Sequence, residues 1–179
     1  MGAWCVLTLL LPACSPALNW REVQLGGLRA MLPCKPDRAE RRVVLGTQDV
    51  AMTMAGCEAA GALYAISHVQ VGDVALVDST QDAWRESMLA HFQTRMVQKA
   101  IYQLARPSIA AGLPASKPNP SPSPGLDILN VQGTGADGAP LQARLLWLAQ
   151  GVDLYHVAIY APGLKADQFD ILFSELVLQ

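Results

Sequence analysis

Charged residues are scarce in this chain, and their signs nearly balance. Only 16% of the 179 residues are charged, and the formal net charge is −2. A strong positive balance is what draws a protein to nucleic acid or to an anionic membrane surface. The composition therefore gives no electrostatic reason to expect such a partner, and the sequence predicts no nucleic-acid partner.

The chain also lacks a long hydrophobic run. No segment has the roughly 18–20 continuous apolar residues that span a bilayer. Because 51% of the residues are nevertheless hydrophobic, the chain can bury a substantial core. A length of 179 residues suits one domain, since single cores commonly take about 100–200 residues.

Sequence signatures of catalysis are missing too. There is no G-x-S-x-G elbow, and Ser67 and His68 are neighbours in a predicted strand, where they would point to opposite faces. Gly133 to Gly138 fits the pattern G-x-G-x-x-G, but Ala139-Pro140 leads from it into a predicted strand instead of the helix that a dinucleotide site needs. We interpret this stretch as a hairpin turn.

Close C-x-x-C or H-x-x-x-H spacings are absent, so the sequence contains no zinc motif. We assign no catalytic residue, no cofactor and no metal ligand, and expect a protein that is not an enzyme. One alternative stays open, an envelope enzyme or metal-binding protein that uses Cys57, His68 and His156. A purely structural subunit of an envelope assembly is a third possibility.

The N-terminus does carry the features of a targeting signal. A short apolar run, Ala3 to Leu11, ends in small residues, the pattern of an export signal over residues 1–13. Leu11-Pro12-Ala13-Cys14 resembles the bacterial lipobox, in which the cysteine is acylated and becomes the first residue. We expect Cys14 to anchor the protein to the cell envelope, facing the periplasm. Because Ser15 is not the aspartate of an inner-membrane retention signal, the outer membrane is favoured.

The remaining cysteines support export independently. Cys5 would leave with the signal, so Cys34 and Cys57 remain as an even pair in the mature chain. In an oxidising periplasm such a pair predicts a disulfide. Two buried free thiols are the alternative, because a sequence does not report whether the two Cα atoms come within bridging distance.

The first half of the chain is strand-like after a tether over residues 14–19. Leu28 to Leu32 predicts a strand that Pro33 stops. A second strand begins at Val43, and Gly46 to Asp49 forms its turn. The segments VAMTMAGCEA (50–59) and ALYAISHVQV (62–71) follow, and with the strand from Val43 they predict an antiparallel meander. The basic stretch Lys35–Arg42 is interpreted as a solvated turn and strand edge, with a partner patch as the alternative.

The second half mixes helix and strand. Ser79 or Thr80 can cap a helix from about Thr80 to about Leu104, whose apolar stripe would pack against the sheet, with a ligand-binding box as the alternative. The Pro-rich stretch 107–125 is predicted to be a surface loop. Three strands follow, LDILNVQ (126–132), PLQARLLWLAQ (140–150) and VDLYHVAIYAP (152–162), and KADQFDILFSELVLQ (165–179) predicts a final helix. The stripes of the two helices comprise Trp84, Met88, Leu89, Phe92, Met96, Ile101 and Leu104, and then Phe169, Leu172, Phe173 and Leu176.

Four stretches together resemble a family of exported bacterial domains, similar to the PsbP-like α/β/α sandwich. They are LRAMLPCKPDRAERRV, LYAISHV, ARLLWLAQGVDLYHVAIYAP and FDILFSEL, against a family pattern of a strand ending in Phe-Pro-x-x-Pro, a Tyr-rich strand, a strand pair and a closing helix. Leu32 replaces the aromatic residue, and Cys34 replaces a small one.

The resemblance covers about residues 20–178 and implies an α+β domain in which helices pack an antiparallel β-sheet. It also implies a non-catalytic binding or assembly module. A fold alone does not identify a more specific function. The sequence thus predicts a lipid-anchored protein that binds an envelope protein or a small apolar ligand.

Overall fold

Ten strands and two α-helices make up the part of the chain that the computed structural model describes, residues 18–92, 96–102, 126–135, 137–164 and 170–179. The predicted signal, Cys14 and the loop 107–125 lie outside these residues. In chain order the elements are β1 (Arg21–Leu25), β2 (Leu28–Leu32), β3 (Asp37–Leu45), β4 (Gln48–Ala59), β5 (Ala62–Gln70), a 3-10 turn (Val74–Leu76), α1 (Val77–His91), β6 (Met96–Tyr102), β7 (Leu126–Thr134), β8 (Pro140–Gln150), β9 (Asp153–Ala161), α2 (Asp170–Ser174) and β10 (Val177–Leu178).

Seven strands form one antiparallel sheet in the order β3-β4-β5-β9-β8-β7-β6, and β1, β2 and β10 form a smaller antiparallel sheet in the order β1-β2-β10. The α+β class is confirmed, and so is the meander from β3 to β5. The large sheet is the middle layer. One face packs against the small sheet and α2, and the other packs against α1.

Side chains alternate between these two cores along each central strand. In β4, Val50 and Met52 face α1 while Ala55 and Cys57 face the small sheet, because successive strand residues point to opposite faces. From Leu145 to Leu148 every residue of β8 is buried. Both faces of this strand are therefore covered, as its continuous apolar run indicates.

The predicted long helix is wrong at both ends. Helix α1 starts at Val77, and the side chain that caps this region is that of Asp73, whose carboxylate accepts the backbone N–H of Ala75 in the preceding 3-10 turn. The helix ends at His91, and Met96–Tyr102 is a strand that pairs with β7. A strand in this segment suits its Val, Ile and Tyr, which favour β-structure.

The final helix is also shorter than predicted. Only Asp170–Ser174 is helical among the described residues, and the chain then pairs with β2 as β10. Leu172, Phe173 and Leu176 are buried as expected, while Phe169 and Leu104 lie outside the described residues. Neither described helix is both long and apolar enough to cross a membrane.

Strand β3 begins at Asp37, six residues before the predicted start, so most of the basic stretch is an exposed edge strand. Charged side chains on an edge strand discourage pairing with other chains. The turn after β3 is shorter than predicted, because Gln48 and Asp49 already pair within the hairpin. The predicted hairpin between β7 and β8 is confirmed, with Gly138 at φ +78°.

Candidate functional site

Helix α1 lies lengthwise over strand β9. The ring centroids of Trp84 and His156 are 5.6 Å apart, and those of Phe92 and Tyr160 are 5.7 Å apart. From Trp84 to Phe92 the helix rises about 12 Å over eight residues, and from His156 to Tyr160 the strand rises about 13 Å over four. Because the two rises match, the helix and the strand run side by side in one direction. Helix α1 also contacts β3, and a space remains beside the helix above β3, β4 and β5.

A groove of about 1170 Å³ occupies this space, and we call it the helix groove. Most of the side chains that line it are apolar, among them Val43, Leu45, Met52, Met54, Ala65, Trp84, Met88, Phe92 and Leu141. A concave apolar lining with few polar groups is typical of sites for small ligands. Methionine thioethers suit such a lining, since they adapt to ligands of irregular shape.

Small residues give the helix groove its depth. Ala65 lines the groove from β5, and Gly56 pairs with it from β4. A Cβ added to Gly56 would come 2.9 Å from the carbonyl oxygen of Tyr64 and 3.5 Å from the Cβ of Ala65. The floor therefore consists of short side chains at the point where β4 and β5 face the helix.

The β3–β4 hairpin closes one end of the groove. A Cβ added to Gly46 in its turn would lie 3.2 Å from the Cβ of Ala83 in α1. At the other end the lining includes Leu63 at the start of β5 and Pro162 after β9. The groove thus follows the direction of the strands.

The buried polar groups in the lining are uncharged. Ser67 and His156 face each other across β5 and β9 and are 7% and 3% exposed. Burial lowers the pKa of His156 to about 3, because a desolvated imidazole resists protonation. Burial likewise raises the pKa of the Tyr160 phenol above its ordinary value. Near neutral pH the floor of the helix groove therefore carries no charge from these groups.

The imidazole of His156 is held between two indole rings. Trp147 lies opposite it in β8, with the ring centroids 4.6 Å apart, and Trp84 covers it from α1. The guanidinium of Arg85 lies 5.4 Å above the Trp147 ring. Among the described residues, Nε2 of His156 and Nε1 of Trp147 have no hydrogen-bond partner. Packing, not hydrogen bonding, holds the imidazole in place.

The charged side chains among the described lining residues lie at the rim. Arg41 contributes from the edge strand and Glu58 from the end of β4, and both are exposed. Since Arg41 pairs with Met52 in the hairpin, six strand residues separate the two levels, or about 20 Å. His91, also exposed, lies next to Phe92 at the end of α1, with its Nδ1 2.9 Å from the Ser87 carbonyl oxygen.

The predicted disulfide is present. Cys34, just after β2, is bonded to Cys57 in β4, with their Cα atoms 6.0 Å apart. The bond joins the small sheet to the large sheet at the core that they share. Cys57 is therefore neither a free thiol nor a metal ligand.

A second polar cluster lies on the small-sheet face. Nε2 of His68 is 2.7 Å from Oδ1 of Asp153, and the His68 ring stacks on Tyr155 at 4.9 Å. The hydroxyl oxygen of Tyr155 accepts the backbone N–H of Gly27 at 2.9 Å. These contacts connect β5 and β9 to the turn between β1 and β2, and thus hold the small sheet in place.

The structure does not bring Cys57, His68 and His156 together. His68 and Cys57 share the small-sheet face but lie four pairing positions apart, or about 13 Å, and His156 points to the opposite face. In the described part of the chain, no group of three or more His, Cys, Asp or Glu side chains could hold a metal ion. The geometry thus gives the alternative site no common centre.

Sequence reasoning missed the helix groove. The stripe of Trp84, Met88 and Phe92 was expected to pack against the sheet, and Trp84 and Phe92 are indeed buried there, but all three also line the groove. The sequence carried two signals. One was this stripe, for which a ligand-binding box was the alternative interpretation, and the other was the pair of small residues Gly56 and Ala65, whose pairing depends on strand register.

No protein-family model matches the chain. No curated protein matches its sequence significantly. Any functional conclusion must therefore come from the geometry of the site.

Proposed function

We propose that this protein is a non-enzymatic lipoprotein of the bacterial cell envelope that binds a small apolar ligand in the helix groove. In this account acylated Cys14 anchors the chain, with the domain facing the periplasm, and the fold is of the PsbP-like α/β/α type. The observation that carries the proposal is the groove itself, an apolar cavity of about 1170 Å³ beside α1.

The lining supports ligand binding over a role as ordinary core. An open groove lined by apolar side chains leaves their surface in contact with water unless a ligand or a partner covers it. A cavity of this size lies at or above the usual range for small-molecule sites, about 300–1,000 Å³. Met54 and Met88 line it from the sheet and from the helix, so flexible side chains on both sides could close around an apolar molecule.

The disulfide supports the proposed compartment. The bond between Cys34 and Cys57 joins two layers of the fold, and such structural bonds persist in oxidising compartments such as the periplasm. Intact mass of the protein from a detergent-extracted membrane fraction tests the anchor. A mass that starts at Cys14 with acyl chains supports it, and an unprocessed chain with four reactive thiols contradicts it.

Binding is tested with the uncharged dye N-phenyl-1-naphthylamine, whose fluorescence rises in apolar surroundings. We expect saturable binding to the purified protein in detergent-free buffer, and at least about tenfold weaker binding to Ala65→Phe, since filling the floor removes apolar contact area. Ala51→Phe is the matched control, because Ala51 is exposed in the neighbouring strand β4 and belongs to the opposite face. Equal binding to both variants, or no saturable binding to the native protein, would contradict the proposal.

A further inference from the structure

We infer that the helix groove takes a single-chain amphiphile with an anionic head, a long-chain carboxylate, with the head at Arg41 and the chain along the groove. The inference rests on the proposed function and specifies its ligand. It depends on where the groove is charged and where it is not.

The floor excludes a charged head. Ser67, His156 and Tyr160 are the polar groups of the deep lining, and the burial that keeps His156 and Tyr160 uncharged is described above. A carboxylate placed beside them would be a buried charge without a countercharge, which is strongly unfavourable. An apolar chain meets no such cost there, so the ionic end of a ligand belongs at the rim.

Arg41 is the cation at the rim that suits the negative head of the ligand. It lies on the groove side of the edge strand, in register with Met52, which is buried in the floor. Ion pairs among the described residues occupy Arg29, Arg42 and Arg85, and none of these pairs involves Arg41. A guanidinium presents a planar fork of N–H donors that matches a carboxylate with two parallel hydrogen bonds.

Glu58 sets the direction of the ligand. It lies about 20 Å along β4 from the level of Arg41, by the rise of a strand, and it lines the end of the groove that lies away from the β3–β4 hairpin. A negative head would be repelled there and attracted at Arg41. Between the two, the ligand's chain would contact Met54, Ala65 and Met88. Among the described lining residues one arginine matches one negative charge, which favours a monocarboxylate.

Arg42 offers a matched control. It is the neighbour of Arg41 in the same exposed strand, but its side chain belongs to the other face and bonds both the carboxylate and the backbone carbonyl of Asp49. Replacing either arginine by glutamine removes one positive charge from nearly the same place. Only Arg41→Gln removes it from the groove.

The test measures displacement of bound N-phenyl-1-naphthylamine by decanoate and by decan-1-ol, which share a chain and differ in head charge. We expect decanoate to bind the native protein more tightly than decan-1-ol. We expect Arg41→Gln to weaken decanoate binding about fivefold, the effect of one partly exposed charged contact, and to leave decan-1-ol unchanged. Arg42→Gln should alter neither, and added salt should weaken only decanoate.

Two results would overturn the inference in different ways. If decan-1-ol displaces the dye and decanoate is neither preferred nor sensitive to Arg41→Gln or to salt, the anionic head is wrong and the apolar site stands. If neither compound binds and the dye does not saturate, the proposed function fails, and the inference fails with it.

Discussion

The rings of Trp84 and His156 lie with their centroids 5.6 Å apart beneath helix α1, in contact across the boundary between helix and sheet. This contact fixes one side of the helix groove and buries a titratable group at its floor. The stability of the domain should consequently depend on the protonation of a single imidazole.

The pH dependence has a definite sign. The pKa of His156 falls from 6.5 to about 3 because the folded protein buries it. Between these values the unfolded chain binds the proton and the folded protein does not, so stability is fully present above pH 6.5 and is lost as the pH falls toward 3. The slope from this residue is up to about 1.4 kcal/mol per pH unit.

Urea unfolding of the native protein and of His156→Leu at pH 7, 6 and 5 measures this slope. The free energy of unfolding of the native protein should fall more steeply toward acid than that of the variant. Ser67→Ala, which alters the neighbouring position without removing a titratable group, should retain the native slope. Parallel curves for the native protein and His156→Leu would show that the imidazole is protonated in the folded state.

The disulfide should stabilise the folded protein because it closes a loop in the unfolded chain. Cys34 and Cys57 are separated by 23 positions, and closing a loop of that length is worth about 3 kcal/mol in the chain-entropy model. The double variant Cys34→Ala/Cys57→Ala should lose about that much free energy of unfolding. Dithiothreitol should destabilise the native protein similarly and leave the double variant unchanged. A native protein that dithiothreitol does not affect would contradict the structural role of this bond.

Two glycines allow backbone strain to be separated from close packing. Gly26 and Gly151 have φ angles of +57° and +60°, but a Cβ at Gly26 would lie 3.1 Å from both the Tyr155 hydroxyl oxygen and the His68 ring, whereas a Cβ at Gly151 meets nothing within 4 Å. Alanine at either position incurs about 1–2 kcal/mol of left-handed strain. At Gly26 it must also displace the two rings, for about 1–3 kcal/mol more.

Denaturant unfolding of Gly26→Ala and Gly151→Ala compares the two sites. Gly26→Ala should be clearly the less stable, since the displaced Tyr155 would also lose its bond from the Gly27 N–H. Equal losses at the two positions would mean that the cluster around His68 and Tyr155 does not hold the small sheet.

The central strands could be predicted from the sequence because their patterns are local. Alternation over Val50–Ala59 indicated β4, and the continuous apolar run from Leu145 to Leu148 indicated a strand covered on both faces. Strand β6 could not be predicted in this way. Its apolar residues fit a helical spacing as well as a strand, and its hydrogen bonds come from β7, about thirty residues later in the chain. Pairing outside the segment decided its structure.

The candidate site was even harder to predict from the sequence. His156 was expected in a strand, which is confirmed, but its burial between Trp84 and Trp147 depends on the register of β8 with β9 and on the path of α1. The helix groove is a gap between elements, and residue spacing reports contacts within an element only. The disulfide could be predicted because the predicted export signal leaves Cys34 and Cys57 as an even pair.

The most direct test of ligand binding in the helix groove is photo-crosslinking with a long-chain alcohol that carries a diazirine, followed by peptide mapping. We expect labelled residues in β4, β5 and the second half of α1, with Met54, Ala65 and Met88 among them, and loss of this label in Ala65→Phe but not in Ala51→Phe. Label confined to the small-sheet face, or spread without preference and insensitive to Ala65→Phe, would contradict an apolar ligand site beside the helix.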